Sequence, residues 1–350
     1  MASKRIIVGM SGGVDSSLTA ALLLEEGFEV IGVHLQMAHD VPGSVASGCT
    51  ASADRQDAIR VAAQLGIRIE VIDAAPAYDE HVLQPFLKSY QQGLTPNPDV
   101  WCNEFVKFPL LLAAADRLGI EHVATGHYAR TTERGELLRG IDPEKDQSYF
   151  LCRLSTEMLQ RIRFPLGELK KTEVRERAER LRLSTAAKKD SVGLCFVGDI
   201  DVSQFLRERL PQSPGNMVTS SGEIVGRHDG LPFYTLGQRK GIELPNGPWY
   251  VVGKRLETNE LLVSNVQGDS QLFVSSASVE RLHWIGGEPD SFEQIDVQLR
   301  YRQPVQSAVM SSSQDGRLLL EFSIPQRAVT PGQEAVLYEG DRVVGCGRVH

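Results

Sequence analysis

No apolar run in this 350-residue chain approaches the roughly 20 residues that cross a bilayer, which excludes a membrane-spanning helix. The five cysteines, Cys49, Cys102, Cys152, Cys195 and Cys346, are scattered and form no Cys-x-x-Cys pair. That spacing suits neither a disulfide scaffold nor a structural zinc site, and no metal centre is expected. The thiols read as buried or reactive groups of a reducing compartment. The N-terminal Met-Ala-Ser-Lys-Arg leads straight into an apolar strand and lacks a secretory pattern, so the expected location is the cytoplasm. There is no excess of positive charge either. A net charge of -8 argues against a generic nucleic-acid coat, though not against a local basic face. Such a stretch runs from Gln160 to Asp190, where Lys and Arg outnumber the acids. It reads equally as a solvated helix with i,i+4 pairs or as a phosphate-binding face. Internal repeats and low-complexity tracts are also missing.

The first feature present is Ser11-Gly12-Gly13-Val14-Asp15-Ser16-Ser17. It follows the apolar strand Ile6–Met10 and opens an apolar helix that stops at Gly27. Strand, glycine-hydroxyl loop and helix N-terminus together make an anion cradle, because unpaired amides and the positive end of the helix dipole converge there. The lysine of the Gly-x-x-x-x-Gly-Lys-Ser/Thr loop is absent, which disfavours ordinary β–γ phosphoryl transfer. Ser-Gly-Gly-x-Asp-Ser instead resembles the pyrophosphate loop of the ATP pyrophosphatases, which cleave between the α- and β-phosphates. A simple helix cap would not need two adjacent glycines with Asp15 in the first turn.

Strand and helix alternate through the first half. Strands are expected at 29–35, 67–72 and 122–127, and helices at 53–65, 78–92 and 108–118. This grammar predicts an α/β fold with a parallel, Rossmann-like sheet whose ligands sit at the strand C-termini. The Ser-Gly-Gly loop, Leu35 and Gly126 all fall at such ends. Beyond Leu210, Gly and Pro punctuate short period-two runs, which predict a small central β-containing domain and a terminal β-barrel. The expected domains are 1–205, 206–270 and 271–350.

Two cysteines lie in settings that favour chemistry. Asn97-Pro98-Asp99-Val100-Trp101-Cys102-Asn103 reads as a rigid turn presenting Asp99 and Cys102. Lys188-Lys189-Asp190-Ser191-Val192-Gly193-Leu194-Cys195 surrounds a second thiol with cations that favour its thiolate. Cys152 and Cys346 read as small buried hydrophobes, and Cys49 is ambiguous. His127, at a strand end, is either a satisfied structural histidine or a substrate contact. The polar turn 142–148 is either an exposed turn or a nucleic-acid contact through Lys145 and Gln147, with Asp146 as an orienting acceptor.

An ordered set of motifs spans nearly the whole chain: SGGVDSS, the CTxxxDxxDA stretch from Cys49 to Ala58, TPNPDVxCN, ATGHYAR, LLRGxDPxKDQSYFL, FPLGEL, KKDSxGxCFVG and YTLGQRKG. In this order they resemble the bacterial tRNA-specific 2-thiouridylases. The resemblance implies a pyrophosphate-loop domain, a small central domain and a tRNA-contacting β-barrel. It further implies a sulfurtransferase that adenylates C2 of the wobble uridine in the tRNA anticodon stem-loop, then installs sulfur from a persulfide. By that resemblance Gly9, Met10, Ser11, Gly12, Gly13, Val14, Asp15 and Ser16 hold ATP with Mg2+, beside Leu35 and Gly126. Asn97, Pro98 and Asp99 meet the target base. His127, Lys145, Asp146, Gln147, Arg300, Tyr301 and Gln333 touch tRNA. Cys195 carries the persulfide, Cys102 is the nucleophile that frees or resolves it, and Asp99 is the candidate acid/base. The implied partner is a persulfide donor, a cysteine desulfurase or a sulfur-relay protein, and a monomer is expected. Two segments depart from the family pattern. Gln36-Met37-Ala38-His39-Asp40 stands where a Lys-Asn-Trp-acid run is common, and Gly345-Cys346-Gly347 replaces a glycine-rich terminus. Two rival classes share the loop. Another adenylating ligase would need neither the paired cysteines nor the barrel, and both cysteines argue against a non-catalytic, nucleotide-dependent tRNA-binding protein.

Overall fold

The computed structural model describes residues 4–37, 51–189, 202–289, 294–312 and 316–350. Its first layer is a five-stranded parallel sheet of order β3-β2-β1-β4-β7. The strands are β1 (Arg5–Gly9), β2 (Glu29–Gln36), β3 (Arg68–Asp73), β4 (His122–Ala124) and β7 (Ile162–Arg163). Ile6, Ile7 and Val8 of β1 are all fully buried. An unbroken apolar run of this kind marks a parallel strand covered on both faces. The covering helices include α1 (Val14–Glu25), α2 (Ala51–Leu65) and α6 (Phe108–Leu118). Gly27 at φ 84° ends the first, and Gly119 at φ 63° ends the last. The chain builds outward from β1 to β2 and β3, then returns to place β4 on the other side of β1. That reversal opens a crevice at the C-terminal ends of β1 and β4, the usual ligand site of an open α/β sheet.

The second layer is a four-stranded sheet of order β10-β11-β8-β9, built from β8 (Gly215–Val218), β9 (Ile224–His228), β10 (Tyr250–Arg255) and β11 (Glu260–Ser264). Its core takes Phe205 and Leu206 from α9 (Val202–Arg209), and Phe86 and Tyr90 from α4 (Gln84–Gln91). The third is a six-stranded closed antiparallel barrel, in which β12 (Phe273–Trp284) pairs with both β15 (Leu318–Arg327) and β17 (Arg342–Val349). The ring is completed by β13 (Gln294–Gln298), β14 (Gln306–Ser312) and β16 (Glu334–Glu339). Sequence alone divides the chain more sharply than the fold does. The hairpin β5 (Ala129–Thr131) and β6 (Leu137–Arg139) leaves the first unit and joins the barrel sheet through β17, at Leu138↔Arg342 and Leu137↔Val343. One apolar cluster holds Ile7, Phe108, Val123, Tyr149 and Cys152 together with Val336, Val343 and Cys346. The barrel is thus packed into the core of the first unit.

Gly345 and Gly347 mark where β12 crosses closely over β17. A Cβ at Gly345 would stand 2.6 Å from the His283 carbonyl oxygen, and one at Gly347 would stand 2.9 Å from that of Glu280. Backbone cannot move aside as a flexible side chain can. We expect Gly345→Ala to destabilise the protein by about 1–3 kcal/mol, read as a lower urea midpoint. An unchanged midpoint would show that β12 yields without cost.

Candidate active site

The loop between β1 and α1 is held in shape by its own hydroxyls. The Ser11 amide donates to Ser16 Oγ at 3.1 Å, and the Gly13 carbonyl accepts from the Ser16 and Ser17 hydroxyls at 3.2 and 2.7 Å. Gly13 is the N-cap of α1, and no side chain caps that end. The first amides of α1 therefore have no helical carbonyl to bond and point into the crevice. Gly12 sits at φ 80°, and a Cβ there would overlap the carbonyl oxygen of Asp54. Gly126 packs flat on the same turn, where a Cβ would lie 2.8 Å from the Ser16 nitrogen. Close approach requires glycine at both positions, and at Gly12 the backbone conformation requires it as well.

Two lysines reach this loop from distant helices and turns. Lys171, the first residue of α8 (Lys171–Arg180), places Nζ 2.8 Å from each carboxylate oxygen of Asp15. The Tyr128 hydroxyl donates to the same carboxylate at 2.7 Å. Lys188 donates to the Gly12 carbonyl at 3.0 Å, and to Asp54 and Asp57 at 2.7 and 2.6 Å. Its hydrogen bond holds the Asp57 carboxyl below the usual range. Burial opposes the Lys188 ammonium, but the two carboxylates outweigh it and raise its pKa. Thr185 donates to Ser17 at 2.9 Å, and Arg175 holds the carbonyls of Ala186 and Lys188 at 2.7 and 2.5 Å. Segment 185–188 is thereby clamped onto the phosphate loop. Sequence alone shows Lys171 only as part of a basic stretch and Lys188 as a cation beside Cys195. Neither lies in the loop motif, and only the fold brings them to it.

Asp99 and Cys102 are not on a turn, contrary to the expectation drawn from the prolines. Asn97 accepts from the amides of Asp99 and Val100 at 3.2 and 3.4 Å, and Pro98 stands at the first helical position. An Asn cap followed by Pro begins a helix rather than preventing one. α5 (Pro98–Trp101) runs on through a π-helical turn, Cys102–Lys107, into α6. Cys102 is 1 % exposed, inside an apolar cluster with Ala74, Tyr78, Val82 and Val106. Leu35, at the tip of β2, packs against that cluster and so joins the sheet end to the thiol. The Asp99 carboxyl is raised by burial, with Lys107 opposing. Among the described residues, no group of three or more His, Cys, Asp and Glu could hold a metal. Cys195 and Cys49 lie outside the described residues.

A polar chain links the thiol helix to the strand ends. Lys107 donates to Asn103 at 2.9 Å and lies 3.4 Å from His127 Nε2. His127 Nδ1 lies 2.7 Å from the Thr125 hydroxyl. Burial and the Lys107 charge push the His127 pKa well below its ordinary value, so the ring is neutral. With an ammonium facing Nε2, that nitrogen must accept, which leaves the proton on Nδ1. Asp146 accepts from the Gly140 and Ser148 amides at 3.0 and 3.1 Å, from the Ser148 hydroxyl at 3.0 Å and from Arg139 at 3.3 Å. Burial raises its pKa against those hydrogen bonds. Gln147 pairs with the Tyr128 backbone at 3.0 and 2.8 Å through its side-chain oxygen and its amide. Asp146 and Gln147 therefore use these polar atoms to fold the turn. Lys145 is half-buried on the same turn.

On the barrel, Arg300 is exposed, and the Tyr301 ring lies 4.3 Å from that of Phe150. Gln333 is buried and donates to the Thr95 carbonyl at 2.8 Å, two residues before Asn97. It fastens the barrel to the loop that starts the Cys102 helix. The fold gathers the phosphate loop, Leu35, Gly126 and His127 at the sheet end, joins Asp99 and Cys102 to them through Leu35 and Lys107, and brings Tyr301 to their flank through Phe150.

Residues 4–199 match the family described as tRNA methyl transferase HUP domain, residues 203–265 its PRC-barrel domain, and residues 274–349 the aminomethyltransferase beta-barrel domain. The chain is 45% identical over 351 residues to the tRNA-specific 2-thiouridylase MnmA of Halalkalibacterium halodurans, covering 99% of this chain and 94% of that protein. It is likewise 45% identical to MnmA of a Janthinobacterium species, covering 100% of this chain and 98% of the relative. A solved 4-thiouridine synthetase–RNA complex with bound ATP is 14% identical, with a TM-score of 0.36 over 59% of this chain and 50% of that one, a likeness too slight to carry argument. The methyl-transfer wording of the domain descriptions fits poorly with a loop shaped for phosphate and a sheltered thiol beside it. The full-length relatives resolve that disagreement: the chain belongs to the tRNA-specific 2-thiouridylase family.

Proposed function

We propose that the chain thiolates C2 of a wobble uridine in tRNA in two stages, adenylation at the phosphate loop and sulfur transfer at the Cys102 helix. The observation that supports this reading most is their meeting at one end of one sheet, where Leu35 at the tip of β2 packs against the Cys102 cluster and Lys107 of the same helix reaches His127 beside Gly126. ATP lies with its phosphates on the α1 amides, between Lys171 and Lys188. The hard oxygens of Asp15, Ser11 and Ser16 would suit Mg2+ brought with those phosphates, where it would neutralise their charge. The uridine leaves the anticodon stack, which costs little in a single-stranded loop. Its C2 oxygen attacks the α-phosphorus, forming the C2–O–AMP bond and releasing pyrophosphate. The oxygen then departs as part of AMP.

Sulfur comes from a donor of the persulfide class to Cys195. Attack of Cys102 on the inner sulfur forms a Cys102–Cys195 disulfide and frees hydrosulfide, which adds at C2 and expels AMP. In the other order, the terminal sulfur adds first and Cys102 then resolves the intermediate by attacking the Cys195 sulfur. Either route ends in the same disulfide, and a two-electron thiol reductant regenerates the enzyme. Cys102 is 1 % exposed, so its meeting with Cys195 requires the surrounding packing to open. Disulfide closure brings the two Cα atoms within about 7 Å. Asp99, raised by burial, suits proton transfer at the base. Asn97, Pro98 and Asp99 face the target base, and Arg300 with Tyr301 extends the RNA contact onto the barrel.

Two measurements test the stages separately. Cys102→Ala keeps a small apolar group in an apolar pocket. It should retain tRNA-dependent release of pyrophosphate while nucleoside mass spectrometry finds no 2-thiouridine. Thiolation at the wild-type rate would refute the nucleophile role. Lys171→Met removes a phosphate partner and also leaves Asp15 without its countercharge, and both effects repel ATP. Pyrophosphate release should fall roughly tenfold to a hundredfold, with tRNA affinity unchanged in a filter-binding assay. Equal pyrophosphate release by the variant would make the lysine a purely structural partner of Asp15.

A further inference from the structure

Segment 148–153 is wedged between the Cys102 helix and the barrel, and it is tied to both. On the helix side the Phe150 carbonyl accepts from Asn103 Nδ2 at 3.0 Å. On the barrel side the Tyr149 hydroxyl donates to the Glu334 carbonyl at 2.8 Å, and Cys346 Sγ to the Cys152 carbonyl at 3.3 Å. Arg153 does both at once. Its Nη2 donates to the Glu334 carboxylate at 2.9 Å and to the Arg281 carbonyl at 3.2 Å, while Nε lies 3.9 Å from Glu104. Glu104 stands two residues after Cys102 in the same π-helical turn. The Arg153 side chain is 10% exposed and that of Glu334 only 2%. A guanidinium so enclosed is held in one place, and none of the chemistry above uses it.

We propose that Arg153 is a positioning residue for sulfur transfer, bracing the Cys102 helix against the barrel by gripping Glu334 on one side and Glu104 on the other. The inference rests on the reading that Cys102 acts in that step. The two grips differ. The Glu334 arm is a formed hydrogen bond, whereas the Glu104 arm is an ion contact longer than a hydrogen bond. The charged groups facing Glu104 are Arg153 and, from β16, Glu334; Lys107 in its own turn is directed to Asn103 and His127. Burial raises Glu104 to about 7, with Arg153 opposing and Glu334 adding. The sign is direct. Above that value Glu104 is anionic and pulls its turn onto Arg153. Below it the carboxyl is neutral and the brace is reduced to its barrel half.

The test compares single-turnover 2-thiouridine formation with pyrophosphate release, in the full-length enzyme with tRNA, ATP and a persulfide donor. Arg153→Met should slow sulfur transfer about tenfold or more and leave pyrophosphate release near wild type, with Arg153→Lys recovering part of the loss. Glu104→Gln guards against a misfolded Arg153 variant. Its sulfur-transfer rate should equal wild type near pH 6 and fall behind it near pH 8. Taking the ratio of the two rates cancels the ionisation of the cysteines, which both enzymes share. A ratio flat across that range, or Arg153→Met slowing both stages equally, would overturn the proposal. A wild-type enzyme that released pyrophosphate but formed no thiouridine would instead overturn the reading beneath it.

Discussion

A helix that starts without a side-chain cap, directly off a buried parallel strand, holds amide donors that its own carbonyls cannot reach. That unmet demand at the start of α1 organises the rest of the structure. The dipole adds roughly half a positive charge at the same point. Gly12 and Gly126 let the Asp54 backbone and the first turn of α1 pack closely around the loop. Asp15 sits in the first turn, where a carboxylate is favoured, yet it is answered by Lys171 and Tyr128 from elsewhere in the chain. The cradle therefore carries its countercharges already positioned. In the proposed reaction an incoming polyphosphate would exchange partners with groups already in place rather than recruit them. Preorganisation of this kind makes electrostatic stabilisation effective in a crevice of low dielectric.

The second constraint is the burial of Cys102, the proposed nucleophile. Cys102 is lodged among aliphatic and aromatic side chains on a helix that Asn97 starts and α6 continues. A sheltered thiol is protected from adventitious oxidation, which matters for a group whose proposed product is a disulfide. Shelter also makes helix placement decisive, because the sulfur cannot find its own way to a reacting atom. Three ties fix that placement from outside: Gln333 to Thr95 at the start of the helix, Asn103 to Phe150, and Arg153 toward Glu104. The first comes from the barrel itself, and the other two reach it through the Tyr149–Arg153 strut. In the proposed reaction the barrel would serve as an anvil for the Cys102 helix as well as an RNA-contacting surface.

Much of this is legible in the sequence. The Ser-Gly-Gly-x-Asp-Ser loop, the βα alternation and the period-two strands after Leu210 are local patterns, and local physics sets them. The setting of Cys102 misleads because Pro96 and Pro98 suggest a turn, while Pro98 after an Asn cap is a helix start. Lys171 reads only as a member of a basic stretch and Lys188 as a neighbour of Cys195, since no local rule says that residues 156 and 176 positions away will meet Asp15 and Gly12. The β5–β6 hairpin falls wholly within the first expected domain for the same reason: its partner strand, β17, lies some two hundred residues downstream. Long-range pairing is invisible to local pattern, and the ties between domains are made of nothing else.

Gln333 shows how such a tie couples the two ends of the molecule. The family resemblance casts it as an RNA contact, yet its amide nitrogen is committed to the Thr95 carbonyl, buried at the joint between barrel and helix. The two roles are compatible if RNA docking acts on the joint itself. An unsatisfied buried carbonyl costs about 1–3 kcal/mol, so drawing Gln333 away is tolerable only when RNA returns equivalent contacts. The Thr95 segment leads within two residues to Asn97, the cap on which the helix start depends. Asp99 lies in the short helix that Asn97 caps, and Cys102 opens the π-helical turn that continues it. In the proposed reaction, RNA held on the barrel would thus act on the thiol helix through this joint without a mobile domain. The shared core of barrel and first unit sets packed elements on both sides of that joint.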